Sequence, residues 1–503
     1  MKVKKLWGER HGKQMPRRIM DFLSGRDVRG VPPCDEILIP YDIWGSKAHT
    51  IMLWKQGIIS EKDGREILTG LKDIEALFSQ GVFKLDASRE DVHSNIESEL
   101  IERFGIDGIG KMHTARSRND QIALDIRLYL RDQAANFVRD LIALLETMAS
   151  RATRHAEAVM PGFTHYQHAM ITTFGHMLLG LAMPLERDIM RFINWYSLFN
   201  RNPLGGAAGY GTSFPLDRDL TSRLLAFDGP HEHSTDPITN RWEPETDLAF
   251  SICVTMNHLS AMAQTFILMS TSEFGMLRLD ESHRSGSSIM PQKENPGPLE
   301  VIKAKASLAQ GILTGLISIG KAPMVGYNKD SQWAKYMIID LVAECAPSLP
   351  IMSEIVNMME VVEPVMQTQT GKGFIGATHL LESIVQHSNL PFRKAKVLVE
   401  KAVRFAEKSG REKITVTDLN RAMREMDLDL RFKAQEIAQW QDPVKIVQED
   451  KIPGGPSPSA TLKAISALKK RLKEYEKWHK SQSLRIRRSV SEIGSIEKGL
   501  GIK

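Results

Sequence analysis

Four short stretches gather hydroxyls, amides, imidazoles and fixed cations inside sequence that is otherwise helical in character: HTARSRND (His113 to Asp120), GFTHYQH (Gly162 to His168), SGSSIMPQKENPGPLE (Ser285 to Glu300) and YNKDSQWAK (Tyr327 to Lys335). One such stretch could be a helix cap or a set of satisfied core groups; four together are hard to explain in that way. Arg118 and Asn119 place a planar guanidinium fork beside an amide, a combination suited to gripping a carboxylate at both oxygens. Lys293 and Asn295 add a point charge and a second amide after a Gly-Ser-Ser run whose backbone donors can approach a ligand closely. These residue types make a cradle for a dicarboxylate.

Such a cradle suits removal of a proton beside a carboxylate. The resulting carbanion spreads into a doubly charged aci-carboxylate that needs preorganised donors, and losing one donor in such a site typically costs about 10²- to 10³-fold in rate. A base is also required. Ser287 is one candidate, because a Gly-rich loop closing over substrate could desolvate it among Lys293 and amide donors and favour its oxyanion. His165 is the other, as a titratable group of suitable range.

Long amphipathic helices must carry these clusters. In RDQAANFVRDLIALLETMASRATRH, Phe137, Leu141, Leu144, Leu145 and Met148 fall on one stripe. A second helix starting near Glu245 carries Ile252, Leu259 and Phe266 seven apart with Met262 and Met269 beside them, spacing that suits near-parallel packing in a bundle. The expected class is all-α. Punctuation at GKGF, at Asn389 to Pro391 and at GGPSPS divides the chain into residues 1–115, a central helical block over 116–371, a smaller helical region over 372–480, and a basic tail over 481–503.

Composition narrows the function further. Across 503 residues, 66 Lys and Arg stand against 61 Asp and Glu with alternating sign, which points away from nucleic acid as a partner. Cys34, Cys253 and Cys345 are odd in number, far apart and without CxxC or Cys/His clustering, so neither a disulfide framework nor a metal site is expected. With no apolar leader near Met1 and no uninterrupted apolar run approaching the ~18 residues of a membrane span, the expectation is a cytoplasmic protein without membrane contact. The GGAAGYG run from Gly205 to Gly211 lacks the GxGxxG spacing of a dinucleotide site.

GSSIMPQKENP is similar to the GSSxMPxKxNP loop of the fumarase/aspartase superfamily, and HTARSRNDQ resembles the HTGRSRNDQ of argininosuccinate lyases in particular. LWGERHG, YDIWGSKAH, GVFKLDASREDVHSNIE, MPGFTHYQHA and YNKDSQWAK extend the resemblance from about residue 5 to about residue 475. It implies a three-domain fold whose central long-helix bundle forms the core of a homotetramer, with cofactor-free sites each shared by three subunits. The implied reaction is a carbon–nitrogen elimination that releases fumarate from a small dicarboxylate, argininosuccinate giving arginine. Position by position, Ser287 would be the base, with Lys293 and Asn295 holding the carboxylate that becomes the aci form. His165, reached through Thr164, would be the paired histidine, supported by Glu300. Ser117, Arg118, Asn119 and Thr164 would bind the succinyl half, with His93 and Gln167 nearby, and Tyr327, Gln332 and Lys335 would contact the carboxylates of the larger substrate.

The resemblance departs on the amine side. Asp35 stands where the family has its aspartate, but Val31 replaces the serine four residues earlier; Trp333 and Ala334 interrupt the usual acidic run, and NRWEPETDLAF replaces a more compact segment. A second N-substituted aspartate, such as ethylenediamine-disuccinate, therefore stands beside argininosuccinate as a candidate. A non-catalytic, crystallin-like relative is the remaining alternative, against which Ser287, His165 and Lys293 are all present.

Overall fold

The computed structural model describes residues 16–24 and 33–502. Val31 and the LWGERHG stretch lie outside them. Three helices, α1 (Ile39–Lys55), α2 (Glu61–Ser79) and α3 (Val92–Phe104), lead to α4 (Arg118–Arg154). The start of α4 is set locally by Ser117, whose hydroxyl accepts the Asn119 N–H while its own N–H donates to Asp120, a capping box. No proline or glycine interrupts the 37 residues that follow, so the helix runs on for about 55 Å at roughly 1.5 Å per residue.

A β-hairpin, β1 (Val159–Thr164) with β2 (Gln167–Thr173), turns the chain back into α5 (Phe174–Phe199). The Phe199 carbonyl accepts from Arg127 Nη1 at 2.8 Å, so α5 ends where α4 begins. Helices α6 (Glu243–Met269) and α7 (Gly297–Ile319) repeat the pattern. Lys303 near the start of α7 bonds Gln264 near the end of α6, and Gly320 just past α7 abuts the Trp242 ring at the start of α6. Trp195 Nε1 donates to the Pro244 carbonyl at 2.7 Å and ties the two pairs at one end.

The predicted stripes are the ones buried. Phe137, Leu141, Leu144, Leu145 and Met148 face the core of α4, where Phe137 stacks on Phe192 of α5 with ring centroids 4.9 Å apart. Ile252, Leu259, Met262, Phe266 and Met269 are buried along α6. That helix is apolar and long enough to cross a membrane, but half of its most apolar window is packed inside the protein, as in a core helix. Helices α8 (Gln332–Cys345) and α9 (Ser348–Met358) complete the main core, which the first three helices share.

Helices α10 (Ala377–Ser388), α11 (Phe392–Lys408) and α12 (Val416–Glu425) enclose a separate small core around Leu380, Ile384, Leu398 and Leu419. Asn389 ends α10 in the left-handed conformation, φ 52°, and Pro391 restarts the chain. The expected boundary at residue 480 falls inside a single helix, α13 (Pro458–Gly499). Its basic half is not a separate tail. Ile493 joins a small core with Ala48, Ile51 and Leu68, and Glu497 pairs with Lys47 at 3.0 Å. The apolar spacing under the lysines and arginines continues the helix where a reading by charge stops it.

Candidate active site

A cavity of about 540 Å³ opens at the end of the bundle where α4 and α6 begin. Asp35, His93, Arg118, Asn119, Tyr327, Gln332 and Lys335 line it, so sequence positions from 35 to 335 converge there. Arg118 is the first residue of α4, and its Nη1 reaches Glu90 and Asp91 at 3.0 Å each. Hydrogen bonds donated to those two carboxylates push the guanidinium pKa still higher. Asn119 donates to the Ala208 carbonyl at 3.3 Å. Lys335 pairs with Asp35, whose other oxygen accepts the Val92 N–H at 3.1 Å.

Glu90 is held in an unusual backbone state. At φ 68° and ψ −59°, with the Asp91 N–H donating to the Arg89 carbonyl at 2.8 Å, it occupies the centre of a three-residue γ-turn. Such a conformation at a residue bearing a Cβ costs on the order of 1–3 kcal/mol and persists only where neighbours enforce it.

Behind the cavity wall lies a buried charged group. His93, 6 % exposed, shares Nδ1 with Asp42 at 2.8 Å, and Asp125 lies 3.7 Å from the same nitrogen. Burial works to raise the pKa of Asp42, but His93 and Arg116 outweigh it and hold the carboxyl below its ordinary range. Burial and the charge of Asp42 push Asp125 the other way, well above that range. These three side chains each offer a ligand atom within 4.8 Å of the others. The Arg116 guanidinium already supplies a positive charge that favours both carboxylates.

On the opposite wall Tyr327 donates to Gln332 at 3.4 Å, and Gln332 donates to Tyr336 at 3.1 Å. Arg241, only 4 % exposed, lies 5.1 Å from the Tyr327 ring centroid. Just beyond it, Glu245 is buried with its Oε2 unbonded, and burial pushes its carboxyl up to about 7. Between pH 4.5 and 7 the folded protein therefore binds more protons at Glu245 than the unfolded chain does, and folding loses stability as pH rises through that window. Glu245→Gln should remove about 3 kcal/mol of this pH-dependent loss. Denaturant melts of both proteins at pH 5 and pH 8 check it, and equal slopes against pH would refute the assignment.

The remaining predicted residues lie elsewhere in the same chain. Thr164 pairs with Gln167 at the tip of the hairpin, and His165 and Tyr166 form the turn at φ 53° and 61°. Tyr166 is 85 % exposed. Positive φ at both central residues matches the twist of the flanking strands. Ser287 and Lys293 ride on a loop closed at its base by pairing of Ser285 with Asn295 and Gly286 with Glu294. Ser287 Oγ accepts the Ile289 and Met290 N–H groups at 3.3 and 3.1 Å. Glu300 is exposed in the first turn of α7, and among the described residues no hydrogen bond or ion pair joins it to His165.

Helix lengths decide how these groups relate. The hairpin follows the far end of α4, and the serine loop lies between the far ends of α6 and α7, helices of 27 and 23 residues. At roughly 1.5 Å per residue those rods hold the loop about 35–40 Å from the cavity of its own chain. Phe163 and Phe274, with ring centroids 5.7 Å apart, place the hairpin near the far end of α6.

A family profile described as Lyase matches residues 32–311. An argininosuccinate lyase from Hahella chejuensis is 37% identical over 432 residues, covering 85% of this chain and 90% of that protein. The chain belongs to the argininosuccinate lyase family. A second member, from Heliobacterium mobile, is 37% identical over 475 residues, covering 93% and 99% of the two chains. Among solved structures, EDDS lyase in complex with formate matches this member of the family with a TM-score of 0.87 at 26% identity, over 97% of this chain and 96% of that one. A class II fumarase from Schistosoma mansoni shares the fold, with a TM-score of 0.68 at 15% identity.

The family motifs did not single out every cavity residue of this argininosuccinate lyase relative. Glu90 and Asp91 lie in the matched ASREDVHSNIE stretch without having been assigned a contact, and Arg241 lies in a segment noted only for its departure from the family pattern. A conspicuous arginine beside Trp242 at a helix start was the available signal.

Proposed function

We propose that this chain eliminates fumarate from an N-substituted aspartate, with argininosuccinate as the substrate and arginine as the released amine. The cavity carries the reading: it gathers Arg118, Asn119 and Lys335 with the acidic Asp35, Glu90 and Asp91, as a ligand bearing carboxylates and a cationic end requires. In the proposed reaction Ser287 takes the proton from the carbon next to the one bearing nitrogen. Lys293 and Asn295 hold the aci-carboxylate, the carbon–nitrogen bond then breaks, and the departing nitrogen gains a proton. His165 with Glu300 supports this proton traffic. Arg118, Asn119, Ser117 and Thr164 grip the succinyl half, with His93 and Gln167 beside them, and Tyr327, Gln332 and Lys335 grip the amine half. The chemistry is acid–base throughout and calls for no cofactor.

Because the rods keep Ser287 and His165 away from their own cavity, a complete site needs several copies of the chain. This supports a homotetramer whose sites each draw on three subunits. Three cysteines widely spaced in sequence, none in a disulfide among the described residues, fit a cytoplasmic enzyme. The likeness to EDDS lyase favours one second reading, the same elimination from ethylenediamine-disuccinate.

Fumarate absorbance followed with argininosuccinate, ethylenediamine-disuccinate and adenylosuccinate tests the proposal. Rapid turnover of the first is expected. Turnover of the second alone would replace the substrate and keep the chemistry, whereas fumarate from none of them would refute the function.

A further inference from the structure

Arg118 enters the cavity already engaged, because the two carboxylates 3.0 Å from its Nη1 are themselves cavity walls. A substrate carboxylate that takes Arg118 end-on, through both Nη1 and Nη2, must therefore displace Glu90, Asp91 or both. The displaced acids then stand unpaired on the wall facing the rest of the ligand. Of the two, Asp91 has other work, since its Oδ1 accepts the Ser94 N–H at 2.8 Å as the cap of α3. Among the described residues Glu90 has no such second duty. It is held toward Arg118 by the γ-turn, and its side chain is 71% exposed, so it can swing without disturbing a core.

Resting on the reading of Arg118 as a ligand of the succinyl carboxylate, we infer that Glu90 is a specificity-determining residue that exchanges partners, releasing Arg118 to the substrate's carboxylate and taking the cationic end of the departing amine. The exchange raises the number of ion pairs by one. One protein pair and a free zwitterionic ligand become two protein–ligand pairs, so a ligand with charge at only one end receives part of the benefit. The favoured substrates are N-substituted aspartates whose amine half carries a guanidinium or ammonium group. An aspartate substituted with a neutral alkyl group would leave Glu90 without a partner once Arg118 is taken.

The test uses titration calorimetry on the full, assembled protein, with succinate and L-arginine titrated separately into the unaltered protein and into Glu90→Gln. Removing the charge at Glu90 leaves Arg118 held by Asp91 alone and deprives the amine side, so succinate should bind about threefold more tightly and arginine about threefold more weakly, the scale expected of an exposed ion pair. A residue that merely props the loop would move both affinities in the same direction. Shifts of the same sign, or no shift in either, overturn the exchange. Glu90→Gly, which accepts positive φ without strain, should give the same opposed shifts and guards against a folding defect peculiar to glutamine. Failure of the unaltered protein to bind succinate would instead strike the underlying reading of Arg118, and is seen before any variant is made.

Discussion

Fumarate release should fall by about 10²- to 10⁴-fold on replacing Ser287 with alanine, the range spanned by a positioned general base. The geometry gives this serine a specific advantage over an ordinary hydroxyl. Its Oγ accepts two backbone N–H groups, from Ile289 and Met290, and hydrogen bonds to the charged form favour that form. Lys293, on the same loop, adds a cation. The loop does not depend on the hydroxyl for its shape, because Ser285 and Gly286 pair with Asn295 and Glu294 at its base. Alanine should therefore leave the fold and assembly intact, with near-unchanged thermal melting and light scattering. Turnover within a few-fold of the original would remove Ser287 as the base.

A second large effect should appear on mixing two dead proteins. Arg118→Ala damages the cavity end and Ser287→Ala damages the loop end. Arg118 starts one rod of 37 residues, and Ser287 sits beyond the far ends of two others. If each site takes its cavity from one copy and its serine loop from another, mixed assemblies contain some sites with both parts unharmed. Subunits dissociated and reassembled together should recover activity well above either parent. A mixture that stays as inactive as its parents, with exchange confirmed by mass spectrometry, would show that one chain carries the whole site.

Much of this arrangement was legible in the residues. Apolar spacing located the buried faces of α4 and α6, whereas the capping box of Ser117 and Asp120 that fixes Arg118 at the start of α4 emerges with the structure. The hairpin was less legible. His165 and Tyr166 adopt positive φ without glycine or asparagine, so no turn signal separates its two strands. The Lys335–Asp35 pair joins positions 300 residues apart, and the γ-turn at Glu90 has no compositional mark. Local preference cannot report contacts that exist only once long helices align. The misplaced boundary at residue 480 has a different cause: a dense run of lysine and arginine hid Ile493 and Ile496, the apolar positions that dock α13.

That docking bears on how the chain is made. Ile493, Leu500 and Ile502 join Leu124, Leu128, Leu224 and Phe227 in a core against Ala48, Ile51 and Leu68, so the first helices emerge from a ribosome with a hydrophobic face whose cover is completed only by the last residues made. At about 5–20 residues per second, the covering segment follows only after some tens of seconds. During that interval the apolar face of α1 and α2 stays incompletely covered, and a holding chaperone would find its client there.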